Sequence, residues 1–269
     1  MRDAVHAAVH PAHAIRAVHA EWTKLRTLPS TWWLIVVTVA LTVALGAAAT
    51  ASLSAAPCPD AGGCREDTVK LALTGVWLGQ SAVVVLAVLA MSGEYVTGTI
   101  RTSLTALPNR LRLLAAKAAV VTAAAVAAGT LGVAGSLVAG RFALPTDGFD
   151  PLPLDEGATL RAAVGTVLYL ALIALLSLGV AAALRDTAAA VTCVLTLLYA
   201  FPILAGLLSD PDWEERARRF GPATAGMAIQ ATRDLDQLPI APWPGLAVLA
   251  AYAVVALGVG GALLRARDA

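Results

Sequence analysis

The chain has 269 residues, of which 58% are hydrophobic and only 14% charged, and its formal net charge is +1. A soluble core cannot use that composition, so a water-soluble globular protein is excluded and a membrane protein is expected.

The first 31 residues form a leader ahead of the first apolar run. His6, His10 and His13 would share a helical face at spacings of four and three, which can hold a metal. No acidic or thiol group joins them in the local pattern, and the preferred reading is a partly solvated leader without a metal site. Further on, Ile15, Val18, Trp22 and Leu25 recur at spacings of three and four, with Arg16, Lys24 and Arg26 off that stripe. This predicts an amphipathic elbow helix lying along the headgroups, before Trp32 and Trp33 mark the interface.

Six runs lack Asp, Glu, Lys and Arg: 32–53, 71–92, 118–140, 162–184, 187–208 and 243–264. Each is long enough to cross a bilayer as helix, which takes about 20 residues. None alternates as a barrel strand would, and backbone groups in lipid must be satisfied internally. The expected fold class is therefore an all-α integral membrane protein, a single domain of six transmembrane helices over residues 1–269.

An even number of spans puts both termini on one side. With the termini inside, 11 Lys and Arg lie inside and 8 outside, while carboxylates divide 5 inside and 13 outside. That bias predicts a multi-pass protein of the cell membrane with cytoplasmic termini. A cleaved signal peptide is the competing reading of the first run. About 30 residues precede that run, whereas a signal peptide has a short basic leader and an apolar stretch of about 7 to 15 residues.

In the first outside loop, Cys58 and Cys64 bracket a flexible Pro-Asp-Ala-Gly-Gly stretch. They are candidates for a local disulfide in an oxidising compartment, the alternative being two unpaired thiols. Cys193 falls within a span and is expected to pack.

The six runs contain no Asp, Glu, Lys, Arg or His. Proton relays and ion-coupled carriers usually keep such groups in their spans, which disfavours a proton-driven carrier, although sodium sites made of carbonyls and hydroxyls stay open. Serine proteolysis lacks a base inside the membrane, and the Gly79-Gln80-Ser81 triplet has Val83 where an esterase elbow needs glycine. A phosphate-binding loop needs Gly-Lys, yet Lys24, Lys70 and Lys117 follow Thr23, Val69 and Ala116. The chain is accordingly expected to be no enzyme, and any energy for transport must come from another chain.

Between the second and third runs lies a polar segment, Gly93 to Lys117. Val96, Ile100, Leu104 and Leu107 make a helical stripe ended by Pro108, and Asn109 is placed to cap a following helix that carries Arg110, Arg112 and Lys117 into the third run. In that run, Ala128, Gly132, Ser136 and Gly140 recur at every fourth residue and allow close helix approach. Pro202 is placed to bend the fifth run. Trp77, Gln80, Tyr169 and Tyr199 are candidate substrate-facing groups, with simple packing as the alternative for each. In the loop before the last run, Asp212 can cap a short surface helix with Glu214 to Arg218 and Glu215 to Arg219 as four-apart pairs.

Three stretches resemble the permease subunits of type 2 ATP-binding-cassette (ABC-2) exporters, especially compact actinobacterial ones: Ala20 to Trp33, Gly93 to Lys117 and, more weakly, Trp213 to Gln230. The resemblance implies a cytoplasmic coupling helix between spans two and three that docks on a separate ABC ATPase subunit. It also implies a second permease chain, identical or not, facing the first around a central path. Glu94, Gly98 and Thr99 match the family's Glu-x-x-x-Gly-Thr pattern, and Tyr95, Ile100 and Arg101 fall in the same coupling stretch. No cofactor is expected on this chain, ATP and magnesium belonging to the ATPase; lipid is an expected partner and nucleic acid is not. The His-rich leader and the Cys58 to Cys64 loop depart from the family pattern. The function implied is export of an unidentified substrate, and a path with no fixed charges fits an amphipathic or hydrophobic one. Two alternatives are a membrane anchor or sensor that recruits a cytosolic partner, and a sodium-exporting permease of the same architecture.

Overall fold

A computed structural model describes residues 11–52, 66–106, 109–144, 156–203 and 211–266. Cys58, Cys64, His6 and His10 lie outside the described residues, as do the side chains of His13, Arg101, Leu104, Asp212, Trp213 and Glu214. The described backbone is helical with no strand.

The order is α1 (Pro11–Thr27), α2 (Pro29–Ser52), α3 (Thr68–Ala72), α4 (Val76–Val96), α5 (Ile100–Ala106), α6 (Arg110–Ala143), α7 (Gly157–Leu184) and α8 (Thr187–Leu195). A π-helical turn, Thr196–Ala200, continues α8, and the chain then resumes with α9 (Pro211–Phe220), α10 (Pro222–Met227), two 3₁₀ turns (Ala228–Gln230 and Leu235–Gln237) and α11 (Pro242–Ala266). Five lengths are long and apolar enough to cross a membrane: α2, the 29 residues Thr68–Val96, α6, α7 and α11. The chain is a multi-pass membrane protein.

The expected run 187–208 is helical as far as Ile203. Thr187–Ile203 is shorter than the five long helices. It nonetheless runs most of the length of α4: Thr187 Oγ1 donates to Ser92 Oγ at 2.7 Å, and Tyr199 meets Trp77 in an edge-to-face pair at 5.3 Å. Pro202, expected to bend this run, lies one residue beyond the Phe201 that caps the π turn, and its missing N–H leaves one carbonyl of the helical ladder without its usual donor.

Polar residues set the helix ends. The side chain of Asn109 accepts from the Arg112 N–H at 3.3 Å, the cap expected from sequence, and Asp186 accepts from Ala189 N at 2.7 Å. Arg185 closes α7 in the left-handed conformation, φ 61°, turning the chain straight back into α8.

The buried face of α2 carries Thr38, Thr42, Gly46 and Thr50 at every fourth position. Their hydroxyls donate to carbonyls one turn back, as Thr42 Oγ1 does to Thr38 O at 2.7 Å, so the face stays polar in composition while its donors are satisfied. Opposite it α6 presents the predicted stripe, and Ala128, Gly132, Ser136 and Gly140 are all buried. A Cβ on Gly46 would collide with the Ala72 carbonyl and Ser136 Oγ, so α2, α3 and α6 touch nearly backbone to backbone. The same device joins α7 to α11, where a Cβ on Gly179 would lie 2.5 Å from the Ala256 carbonyl carbon.

Arg110 Nη1 donates to Leu264 O at 2.8 Å, and α1 packs against the start of α6. The first described helix and the end of the last therefore both lie against the start of α6, at the end of the bundle that also holds α5. Asp67, α10 and the 3₁₀ turns occupy the opposite end.

Candidate functional site

At the end where α1, α4, α5 and α6 converge, four charged side chains close a ring of alternating sign. Glu21 Oε1 lies 2.7 Å from Lys24 Nζ, and Glu21 Oε2 lies 2.8 Å from Lys117 Nζ. Across the ring, Glu94 Oε1 receives both ammonium groups, Lys24 at 2.7 Å and Lys117 at 2.8 Å. The side chains of Glu21 and Lys117 are 3% and 2% exposed, whereas that of Lys24 is 45% exposed. Two charges of each sign make the ring neutral, the condition under which such groups tolerate burial.

Local sequence explains each corner. Ala17, Glu21 and Leu25 recur at every fourth position of α1 and make its buried face, which delivers Glu21 to α6. Lys117 sits inside α6 and donates to the Ala90 carbonyl of α4 at 3.0 Å as well as to both carboxylates. Lys24 also donates to Ser103 Oγ of α5 at 3.1 Å, so one ammonium links three helices. Burial alone would lower the Lys24 pKa, but its bonds to Glu21 and Glu94 outweigh that and raise it.

The apolar stripe read along the leader divides in three dimensions. Leu25 is buried, whereas Ile15 (67% exposed), Val18 and Trp22 stay open and line a shallow pocket with His19. This open face leads toward the exposed Trp32 and Trp33 at the start of α2. Trp32 Nε1 donates to the Arg26 carbonyl at 3.0 Å, fixing the corner between α1 and α2.

Of the coupling residues taken from sequence, Glu94 is the one drawn into this ring. Its cations are Lys24 and Lys117 of its own chain, and the residue is 8% exposed. Its Oε2 is buried without a hydrogen-bond partner among the described residues. The neighbouring Tyr95 turns the other way, its ring 5.3 Å from the guanidinium carbon of Arg185 at the α7–α8 corner.

Gly98 adopts φ +70°, and nothing lies within 4 Å of where its Cβ would be. It serves the left-handed turn between α4 and α5, and among the described residues no neighbour crowds it. Thr97 and Thr99 join their hydroxyls across that turn at 2.8 Å, and Ile100 tucks inward, 5% exposed, while Val96 of the same predicted stripe points out at 76%. Arg101 lies in α5, its side chain outside the described residues.

The four candidate path residues come together in mid-bundle. Tyr169 donates to Gln80 Oε1 at 2.5 Å, Gln80 Nε2 donates to the Trp77 carbonyl at 3.1 Å, and Tyr199 donates to that same carbonyl. With the Tyr199 proton so committed, the 2.7 Å contact between Ser81 and Tyr199 has Ser81 as donor. Tyr169 and Gln80 are fully buried, and Trp77, Ser81 and Tyr199 are half-buried. Sequence reasoning singled out four members of this chain and passed over Ser81.

It also passed over the ring. Glu21 and Lys24, three apart on a helix, were a readable local pair, but nothing in the sequence joined them to Glu94 or Lys117. Among the described residues no group of three or more His, Cys, Asp or Glu is placed to hold a metal ion. No protein-family model matches the chain, and no curated protein is similar enough to be matched.

Proposed function

We propose that this chain is the membrane subunit of an ABC-2 type exporter, a permease driven by a separate ATP-hydrolysing subunit. In this reading α8 with its π turn makes a sixth crossing, α1 lies along the cytoplasmic headgroups with Ile15, Val18 and Trp22 toward lipid, and both termini are cytoplasmic. The chain itself does no covalent chemistry, and ATP and magnesium belong to the partner. A second permease chain completes the path, along which Trp77, Gln80, Tyr169 and Tyr199 are the candidate contacts for an amphipathic substrate.

The observation that supports this most is the ring of Glu21, Lys24, Glu94 and Lys117. A lever needs a stiff attachment, and side chains locked in a nearly dry ionic ring have little rotamer freedom left. Through Lys24 and Ser103 the ring also holds α5, the short helix in the position of a coupling helix. A push on α5 by a docked subunit would reach α1, α4 and α6 together, and through Tyr95 and Arg185 the α7–α8 corner.

The test is co-expression with an ATPase subunit that carries a Gly-Lys-Ser/Thr phosphate loop, taken from an adjacent reading frame, followed by joint purification into lipid vesicles. The expected result is a complex whose ATP hydrolysis falls about tenfold when Lys24→Ala and Ser103→Ala are combined. A folded, membrane-inserted chain that retains no ATPase would sink the exporter reading and leave a membrane anchor or sensor.

A further inference from the structure

At the end of the bundle opposite the ring, a single carboxylate gathers four donors. Asp67 Oδ1 accepts from Lys70 N at 3.0 Å, capping α3, and from Thr232 Oγ1 at 2.7 Å. Its Oδ2 accepts from Thr232 N at 2.6 Å and Arg233 N at 3.1 Å. Asp67 and Thr232 are 165 positions apart, so three of the four bonds fasten one distant segment to another. A second fastening lies one residue earlier, where Arg161 Nη2 of α7 donates to the Ala231 carbonyl at 2.6 Å.

The fastened segment folds back over the bundle. Pro222, Ala223, Ala225 and Gly226 of α10 are buried, as are Ile229 and Gln230, and from Arg233 the chain runs along the surface. Gly226 lies flat on the Tyr169 ring, where a Cβ would stand 2.7 Å from two ring carbons, and Ile229 fills the notch left by Gly165. Gln230 apart, the buried residues of the segment are small or aliphatic and pack without side-chain bonds, while the strong directional bonds lie at its far edge, at Ala231, Thr232 and Arg233. Beneath it lies the Tyr169–Gln80 bond, the inner end of the one polar chain described through mid-bundle.

We propose that Asp67 is the clasp of a lid formed by residues 222–233, and that releasing the clasp uncovers Tyr169 and Gln80 from this end of the bundle. Bonds to an ionised acceptor are the strong ones, so losing this acceptor costs the segment more than losing any apolar contact on its underside. A segment can open locally while the rest of the fold stays closed. The inference stands on the fold alone and can fail while the exporter reading survives.

The test uses the full-length protein in lipid nanodiscs, with Cys58, Cys64 and Cys193 replaced by Ser and one reporter cysteine, Ile229→Cys, on the lid's own underside, facing Gly165. The measured quantity is the rate of N-ethylmaleimide modification. Adding Asp67→Ala is expected to speed labelling by about tenfold or more, and Thr232→Val, which leaves the α3 cap intact, by a smaller factor. A control reporter, Val84→Cys in α4, is expected to keep its rate. If Asp67→Ala does not fold, Thr232→Val alone decides. Unchanged labelling at residue 229, or an equal rise at residue 84, would overturn the proposal.

Discussion

Lys117 of α6 and Glu94 of α4 lie 2.8 Å apart, and the lysine side chain is 2% exposed. Because Lys117 also holds Glu21 at 2.8 Å, it is the one cation that balances both buried carboxylates away from solvent.

Lys117→Met should therefore be the most damaging single change in the ring. It leaves two buried carboxylates to share the half-exposed Lys24, and removing one partner of a buried pair costs about 3–5 kcal/mol. The expected result is a clear drop in the thermal midpoint in detergent. Lys117→Met combined with Glu94→Gln should lose less than the two single losses added together, because the second change removes one of the stranded charges. A simple sum would show that the two residues do not interact.

Lys24 is different, since its side chain is nearly half exposed and solvent screens it. Lys24→Met should cost at most about 1 kcal/mol of global stability, yet speed amide exchange in α5 by freeing Ser103. The pH sign follows from its raised pKa. The stabilisation is fully present below the unfolded value, about 10.4, and is lost as pH rises through the higher folded value. Thermal midpoints of the wild type and Lys24→Met should thus differ by a constant amount from pH 7 to 9 and converge only in strong alkali; convergence near neutrality would contradict the bonding described.

Gly98→Ala places a Cβ at φ +70° and should destabilise the α4–α5 turn by about 1 kcal/mol. Gly98→Asn, which tolerates that conformation, should fold almost as well as the wild type because the space around it is open. Comparing the two separates backbone from contact. If the Asn variant is stable but no longer supports an ATPase, the close approach at Gly98 is made to the partner.

Gly46→Ala should cost about 1–3 kcal/mol through overpacking, since its Cβ would strike the Ala72 carbonyl and the Ser136 hydroxyl. Gly258→Ala on α11, where a Cβ would meet nothing, should be neutral or slightly stabilising. Equal midpoints for the two variants would rule out the tight α2–α3–α6 junction.

Much of the fold was legible because lipid imposes simple rules. Unbroken apolar runs gave the five long helices, Asn109 gave its cap, and the small residues of α6 gave a packing face, each a local signal. The threonine period of α2 was equally readable and went unread, since threonine counts as neutral in an apolar run. What lay beyond sequence was pairing at a distance. Glu94 sits where a partner-facing charge would sit, and only three-dimensional placement shows two lysines already beside it. The same holds for Asp67 and Thr232, which no periodicity connects.

The ring also sets an order on how the protein is made. Its corners leave the ribosome as Glu21, Lys24, Glu94 and Lys117, so the charges collected before the last arrives sum to −1. Until α6 has been synthesised, the leader helix and the end of α4 hold an excess carboxylate that must stay in water. Only when Lys117 arrives can both carboxylates be withdrawn from solvent, so a nascent chain cannot settle this end of the bundle before its third long helix is in place.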